Sequence, residues 1–391
     1  MVRKALGYLG SLFVAITVTV GILHGYSYWL DQQLKLLDDK KVILDRFDIK
    51  DYGLYLLQRS IRKGDFILLG SSELTARVPQ DPINLFPNQS LPLQIDKSGT
   101  SYKQSLLTGI MLGALPVDDN TKMAMIVSMQ WFFDEDISRK GTQKRFSELQ
   151  YYAFMHNDSI PSECKHYASK RLATLLSGEG KVGAACLYAK LNSSDSVVNV
   201  LGRSVLYPFY ECKYRLLLLR DKYNAYKFLT DAEEVDIEIK DIDWQQEQIE
   251  ATKMGKENCN NNGLYVYNEY YNEILLPRWE ELKDGMSHQK LINCKEGDDY
   301  HFFLTIAKIK NVKPYMVFMS ANGWYYDYLG ITKDKRYKLY DWLAQETSSN
   351  GFSYLDTRSL EYEPYSYHDV MHLGWKGWLY VGENISKHFG K

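Results

Sequence analysis

Two short segments near opposite ends of the chain hold the residue types that acyl transfer needs. In "FILLGSSEL" (66–74) an unbroken apolar run ends in Gly70, Ser71 and Ser72. In "YSYHDVMHLGWKGW" (365–378) Asp369 and His372 stand three residues apart. A serine hydroxyl becomes a useful nucleophile when a neutral imidazole takes its proton, and the imidazole works best when a carboxylate holds its other nitrogen. Residues three apart share one face of a helical turn, so the spacing predicts that Asp369 orients His372 within a single turn of helix. Ser71 and Ser72 are both candidates for the nucleophile, and serine is also an ordinary helix cap. Among the other histidines, His24 falls in an apolar N-terminal stretch, and His368 immediately precedes Asp369. His156, His166, His288, His301 and His388 lack a comparably placed acid near a strand end.

A hydroxyl is placed for chemistry when it follows a strand at the carboxyl edge of an open α/β sheet. Residues 66–69 are apolar without alternation, as expected of a strand covered on both faces. Strand-like runs at 91–96, 122–129, 313–320 and 352–356 bring the expected number of strands to five, with helical apolar spacing at 102–115 and 334–349 between them. The expected fold class is therefore α/β with a five-stranded parallel sheet. Residues 133–300, between the third and fourth strands, are rich in helix formers at 210–229 and 244–257 and read as a large helical insertion packed on the sheet. "NCNNNG" (258–263) reads as a loop within it.

Composition narrows the classes of function. Across 391 residues, 47 basic and 49 acidic side chains leave a formal net charge of -2, without the basic excess that nucleic-acid binding requires. The 31 tyrosines couple apolar faces to polar tips, which suits carbohydrate or polymer surfaces. Arg3 and Lys4 precede an apolar stretch at about 5–25, and about 21 helical residues cover roughly 30 Å, the thickness of a hydrocarbon core. One transmembrane helix is expected, and no small-residue cleavage pattern follows it. This divides the chain into an anchor at 1–27 and a domain at 28–391. The early basic residues favour a cytoplasmic N-terminus, and Tyr26, Tyr28 and Trp29 suit the opposite interface, so the domain is expected outside the cell. The five cysteines are too widely spaced for a Cys-x-x-Cys motif, and their odd number leaves at least one thiol unpaired unless it bridges chains.

"LLGSSEL", "IVSMQWFF", "MVFMSANGWYYDYLGI" and "DVMHLGWKGW" together resemble the DltD family, membrane-anchored proteins of the SGNH-hydrolase-like group, in order and spacing over most of the chain. The resemblance implies a three-layer α/β sandwich with an extracellular active site. It implies a role in placing D-alanine esters on lipoteichoic acid, the glycerol-phosphate polymer of Gram-positive envelopes, without a metal or nucleotide cofactor. Lipoteichoic acid, the membrane and the D-alanylation machinery, including a membrane acyltransferase or a D-alanyl carrier protein, are the implied partners. Ser72 is the implied nucleophile, His372 its base and Asp369 the orienting acid, with Ser71 standing where many relatives carry Asp. Because Glu73 and Leu74 follow, the segment is not the Gly-x-Ser-x-Gly elbow of lipases.

An oxyanion needs donors as well. The Ser72 N–H, at the start of the next helix, is one candidate. Gly99 is a second, and reads equally as a turn glycine. Gln130, where SGNH enzymes typically carry Asn, offers a side-chain N–H or caps the end of the third strand. Ser71, Trp131 and Asn322 are candidates for a substrate pocket, with core packing as the other reading of Trp131 and a turn as that of Asn322. Phe132, Trp324, Tyr325 and Tyr326 are further aromatic candidates, whereas Trp375 and Trp378 read as core. The expected reaction is serine-dependent transfer of D-alanine through a D-alanyl-serine intermediate. Free access of water would give an esterase or thioesterase instead, and a non-catalytic partner acting through the helical insertion is the reading from a different class.

Overall fold

Strands β1 (Phe66–Gly70), β2 (Ile95–Gly99), β3 (Met123–Ser128), β4 (Tyr315–Met319) and β5 (Tyr354–Asp356) form one parallel sheet in the order β2-β1-β3-β4-β5. The apolar strands are buried on both faces. Ile67, Leu69, Met125, Val127, Met316 and Phe318 enter one core, and Phe66, Leu68, Ala124, Ile126, Val317 and Met319 enter the other. Helices Tyr55–Lys63, Ser105–Ala114, Lys295–Ile309 and Lys333–Ser349 build the first core, while Trp244–Asn258 and Trp375–Phe389 build the second. Two helical layers thus enclose the sheet. Residues 2–45, 53–75, 77–133, 137–178, 183–292 and 294–390 are described by this computed structural model, without the side chains of residues 2–7 and 9.

The second strand lies further along than its apolarity predicts. Residues 91–94 are irregular, in keeping with Pro92, which has no N–H to give a ladder, and the strand is the polar "IDKSG". Its charges are buried because they are paired. Asp96 accepts the Leu44 N–H at 2.8 Å, and Lys97 Nζ lies 2.7 Å from Asp81 and 2.8 Å from Asp45. A buried charge with a partner is tolerated inside a sheet, so a pattern read from apolar residues alone misses it.

The segment between β3 and β4 divides between the layers. Tyr151, Phe154, Leu172 and Leu229 join the first core, whereas Ala251 on Trp244–Asn258 joins the second. Lys295–Ile309 crosses residue 300 and packs over the sheet against Ser105–Ala114.

At the N-terminus, Val2–Leu36 forms a single helix, and its Gly10–Leu36 portion is long and apolar enough to cross a membrane. The helix passes residue 27 without a break, and Leu30 and Leu34 are buried against the domain. Asp31 pairs with Lys222 of the long helix Val197–Asp231 at 2.8 Å. The side chains of Arg3 and Lys4, on which the expected orientation rests, lie outside the described residues. All five cysteines are free thiols.

Gly99 is needed where β2 meets β1. It pairs with Gly70, and a Cβ built on it would lie 2.2 Å from the Gly70 carbonyl oxygen. Because the clash is with backbone, it cannot be relieved by a rotamer change. Gly99→Ala should lower the free energy of unfolding by about 1–3 kcal/mol or more, read as a lower urea midpoint in detergent solution. An unchanged midpoint would mean that the two strands are not held this closely.

Candidate active site

The order of the sheet makes β1 and β3 the neighbours from which the chain moves off in opposite directions, and ligands of such sheets sit in the crevice at the carboxyl ends of those strands. The serine turn follows β1 at that point. Ser72–Leu74 is a single 3-10 turn, too short for a strong helix dipole, so the Ser72 N–H is a candidate oxyanion donor on its own account. Glu73 ties the turn together. Its buried carboxylate accepts the Ser71 N–H at 3.0 Å and the Trp131 indole N–H at 2.8 Å.

The two serines differ in environment. Ser71 is buried and its hydroxyl donates to the Thr100 carbonyl at 3.0 Å. Ser72 is half-buried, and among the described residues neither its hydroxyl nor its N–H has a hydrogen-bond partner. A hydroxyl already committed to a buried carbonyl is poorly placed to attack, so this environment favours Ser72.

Asp369 and His372 come together without the expected helical turn. Asp369 Oδ1 accepts the N–H groups of Met371 and His372, each at 2.8 Å, which folds the loop so that Oδ2 meets His372 Nδ1 at 2.7 Å. A bridge between Tyr367 and Leu373 and a His368 N–H donating to His372 O at 2.9 Å close the loop. The loop is tied in turn to the rest of the fold: the Tyr267 N–H donates to His368 O, and the Asn322 N–H to Val370 O.

Burial opposes the Asp369 charge, but the hydrogen bond and charge of His372, with the two loop N–H groups, hold its carboxyl below the usual range. Burial also works against protonating His372. Asp369 overcomes it, helped by the charge of Glu73, and raises the imidazole above its ordinary value, while Arg77 acts the other way. Nδ1 is fixed on the acid, and Nε2 has no partner among the described residues. This is the arrangement a general base requires.

The sequence has known relatives. A family model described as DltD protein matches residues 48–390. Protein DltD of Bacillus subtilis (strain 168) is 26% identical over 392 residues, covering 98% of this chain and 97% of its own length. The chain belongs to the DltD family. Protein DltD of Staphylococcus aureus (strain NCTC 8325 / PS 47) is 24% identical over 90% of this chain and 89% of its own, and that of Lacticaseibacillus rhamnosus is 22% identical over 81% and 75%.

In this DltD-family chain the remaining candidates take distinct places. Gln130 follows β3 on the turn Met129–Phe132 and donates through Nε2 to the Tyr326 hydroxyl. Trp131 is buried with its indole on Glu73, and so supports the serine turn. Asn322 is buried with both polar ends engaged, Oδ1 with the Tyr325 N–H at 3.0 Å and Nδ2 with the Leu264 carbonyl at 2.8 Å. Gly99 ends β2, beside Gly70. Trp375 and Trp378 are buried in the second core.

Sequence reasoning missed Glu73, whose acid beside the serine is the signal that was there to find. It also missed a cleft of about 550 Å³ next to the Asp369 loop, lined by His368, Trp375 and Tyr270, with Arg77 on its wall as well as Glu269 and Glu273. These come from segments far apart in sequence, and only folding assembles them.

The charges around His372 fix the sign of a pH effect. An imidazole acting as a base must be neutral, so ester cleavage that uses His372 should rise with pH through a midpoint above 6.5, the ordinary histidine value. Removing a cation favours the imidazolium, so Arg77→Gln should move that midpoint further up, by less at high salt because Arg77 is exposed. A pH–rate profile of ester cleavage measures both, and a downward move in Arg77→Gln would contradict the assigned electrostatics.

Proposed function

We propose that this DltD-family protein transfers D-alanine to lipoteichoic acid at the outer face of the membrane, with Ser72 as nucleophile. The family takes part in D-alanylation of teichoic acids. The observation that carries the catalytic reading is the 2.7 Å bond from His372 Nδ1 to Asp369, which leaves Nε2 without a partner among the described residues, as the Ser72 hydroxyl is.

In the first half-reaction the Ser72 Oγ attacks the carbonyl carbon of a D-alanyl ester or thioester while His372 Nε2 takes its proton. The tetrahedral oxyanion is met by the Ser72 N–H, with Gln130 and Gly99 as the neighbouring candidates. Its collapse expels the donor's alcohol or thiol, which recovers the proton from His372, and leaves D-alanyl-Ser72. A glycerol-phosphate hydroxyl of the polymer then attacks the ester, His372 takes that proton, and Ser72 leaves with it. The donor in this reading is a carrier-protein thioester or an acyl group passed on by a membrane acyltransferase. Water in place of the polymer hydroxyl gives the esterase reaction. Both substrate charges have counterparts in the cleft: Arg77 suits a phosphodiester, and Glu269 and Glu273 suit the D-alanyl ammonium.

Ser72→Ala should abolish cleavage of a D-alanyl ester and covalent labelling by a serine-directed fluorophosphonate, whereas Ser71→Ala keeps labelling, because its hydroxyl is bonded to Thr100. Labelling that persists in Ser72→Ala would remove Ser72 from the reaction.

A further inference from the structure

The cleft of about 550 Å³ beside the Asp369 loop contains a polar side chain that the reaction above does not use. His368 lines it, with its ring stacked between Tyr267 at 5.0 Å and Trp375 at 5.9 Å, two other residues of the cleft. The residue is only 8% exposed, and neither ring nitrogen has a hydrogen-bond partner among the described residues. Nδ1 is sealed from solvent. The large majority of buried side-chain polar atoms find a partner in protein or ordered water. Stacking fixes the plane of the His368 ring but satisfies neither nitrogen.

The state of the ring follows from its surroundings. Burial holds the imidazole below its ordinary range against the pull of Asp369, with the charges of Arg77 and His372 adding to the effect of burial. A neutral imidazole has one N–H and one bare nitrogen. An orphaned buried N–H is rarer than an orphaned buried acceptor, so the sealed Nδ1 is the bare nitrogen and Nε2 carries the proton. His368 thus offers the cleft a neutral N–H donor held between two flat rings. Arg77 adds positive charge to the same cleft. A donor N–H and a guanidinium together suit an oxyanion that accepts from both, as a phosphodiester does. Glu269 and Glu273 also border the cleft, but both are exposed, so water and salt screen their charges.

The main chain ties this donor to the proposed base, because the His368 N–H donates to the His372 carbonyl at 2.9 Å. We propose that His368 Nε2 and Arg77 bind a phosphodiester of the lipoteichoic acid backbone and so hold the acceptor polymer against the Asp369 loop. The identity of the ligand rests on the acyl-transfer reading above, whereas the unpartnered donor does not.

The probe is a lipid-free oligomer of glycerol phosphate, whose equilibrium binding to the full chain in nonionic detergent is measured by calorimetry. Phosphatidylglycerol in mixed micelles presents the same phosphodiester from a lipid and forms the second arm. His368→Phe keeps a flat ring for Tyr267 and Trp375 and removes the donor, while His368→Gln returns an N–H near the Nε2 position without the ring. Oligomer binding is expected to weaken about 10–100-fold in His368→Phe and to stay within about 3-fold of wild type in His368→Gln. The loss in His368→Phe should persist at high salt, because the donor is neutral, and the loss in Arg77→Gln should shrink. Wild-type binding in His368→Phe would overturn the proposal. Equal losses in His368→Phe and His368→Gln would overturn it as well, and would make the ring a structural part alone. So would binding of phosphatidylglycerol without binding of the oligomer. If His368→Phe does not fold, the wild-type chain labelled with nitrogen-15 histidine decides: the His368 Nε2 resonance should move when the oligomer is added, and one that stays in place would overturn the proposal. Calorimetry needs no turnover, so a failure of the Ser72 reading, seen as absent fluorophosphonate labelling, leaves the binding result intact.

Discussion

The hydrogen bond between Asp369 and His372 is the interaction on which the site depends. Both residues are largely buried and burial opposes each charge, an opposition that their mutual hydrogen bond counters. Together they fix Nδ1 on the acid and leave Nε2 available, and they do so from a loop with no helix or strand to stiffen it. Stiffness comes from outside. The segment leading to the loop is clamped by Arg336, whose guanidinium meets both oxygens of Glu361 at 2.9 and 2.8 Å with both side chains fully buried. Tyr340 donates to the same carboxylate at 2.9 Å, and the Tyr367 hydroxyl pairs with Ser320 at the end of β4 at 2.7 Å. His368 is stacked between Tyr267 and Trp375. Removing one partner from this buried pair would leave an uncompensated charge and be strongly destabilising.

The serine turn obeys a different constraint. β1 and β2 approach so closely at Gly70 and Gly99 that neither backbone tolerates a side chain at Gly99, and the turn that follows is set by Glu73 rather than by a helix. The serine turn is thus positioned by backbone contact and His372 by side-chain contact. These two mechanisms meet at the carboxyl edge of the sheet because the strand order reverses direction there.

How much of this the amino-acid sequence discloses follows from the range of each interaction. β1, β3 and β4 are legible as apolar runs because burial on both faces demands such residues. β2 is not, since Asp96 and Lys97 are buried through partners at Leu44, Asp45 and Asp81. The pairing of Asp369 with His372 is legible from spacing, although the local device is a carboxylate capping its own loop and not a helical turn. Arg77 beside the cleft and Arg336 on Glu361 are illegible, because nothing local marks which distant residue each will meet. The long helix Val197–Asp231 carries Val198, Leu201, Val205 and Phe209 at spacings of three and four, yet this outward apolar face reads like an inward one until the fold shows which side is bonded.

The central claim is that the Ser72, His372 and Asp369 side chains act as one catalytic unit. It is tested most directly in cells whose only copy of the protein carries Ser72→Ala, His372→Ala or Asp369→Asn, at matched protein levels. The quantity measured is D-alanine released by mild base from purified lipoteichoic acid. Asp369→Asn alters little beyond the charge and tautomer that the imidazole sees, and the equivalent change in a serine protease costs about 10⁴-fold in rate. The account predicts that all three variants fall to, or near, the level of a deletion. Near-normal D-alanine in all three would contradict it, and would leave the protein a binding partner rather than a catalyst.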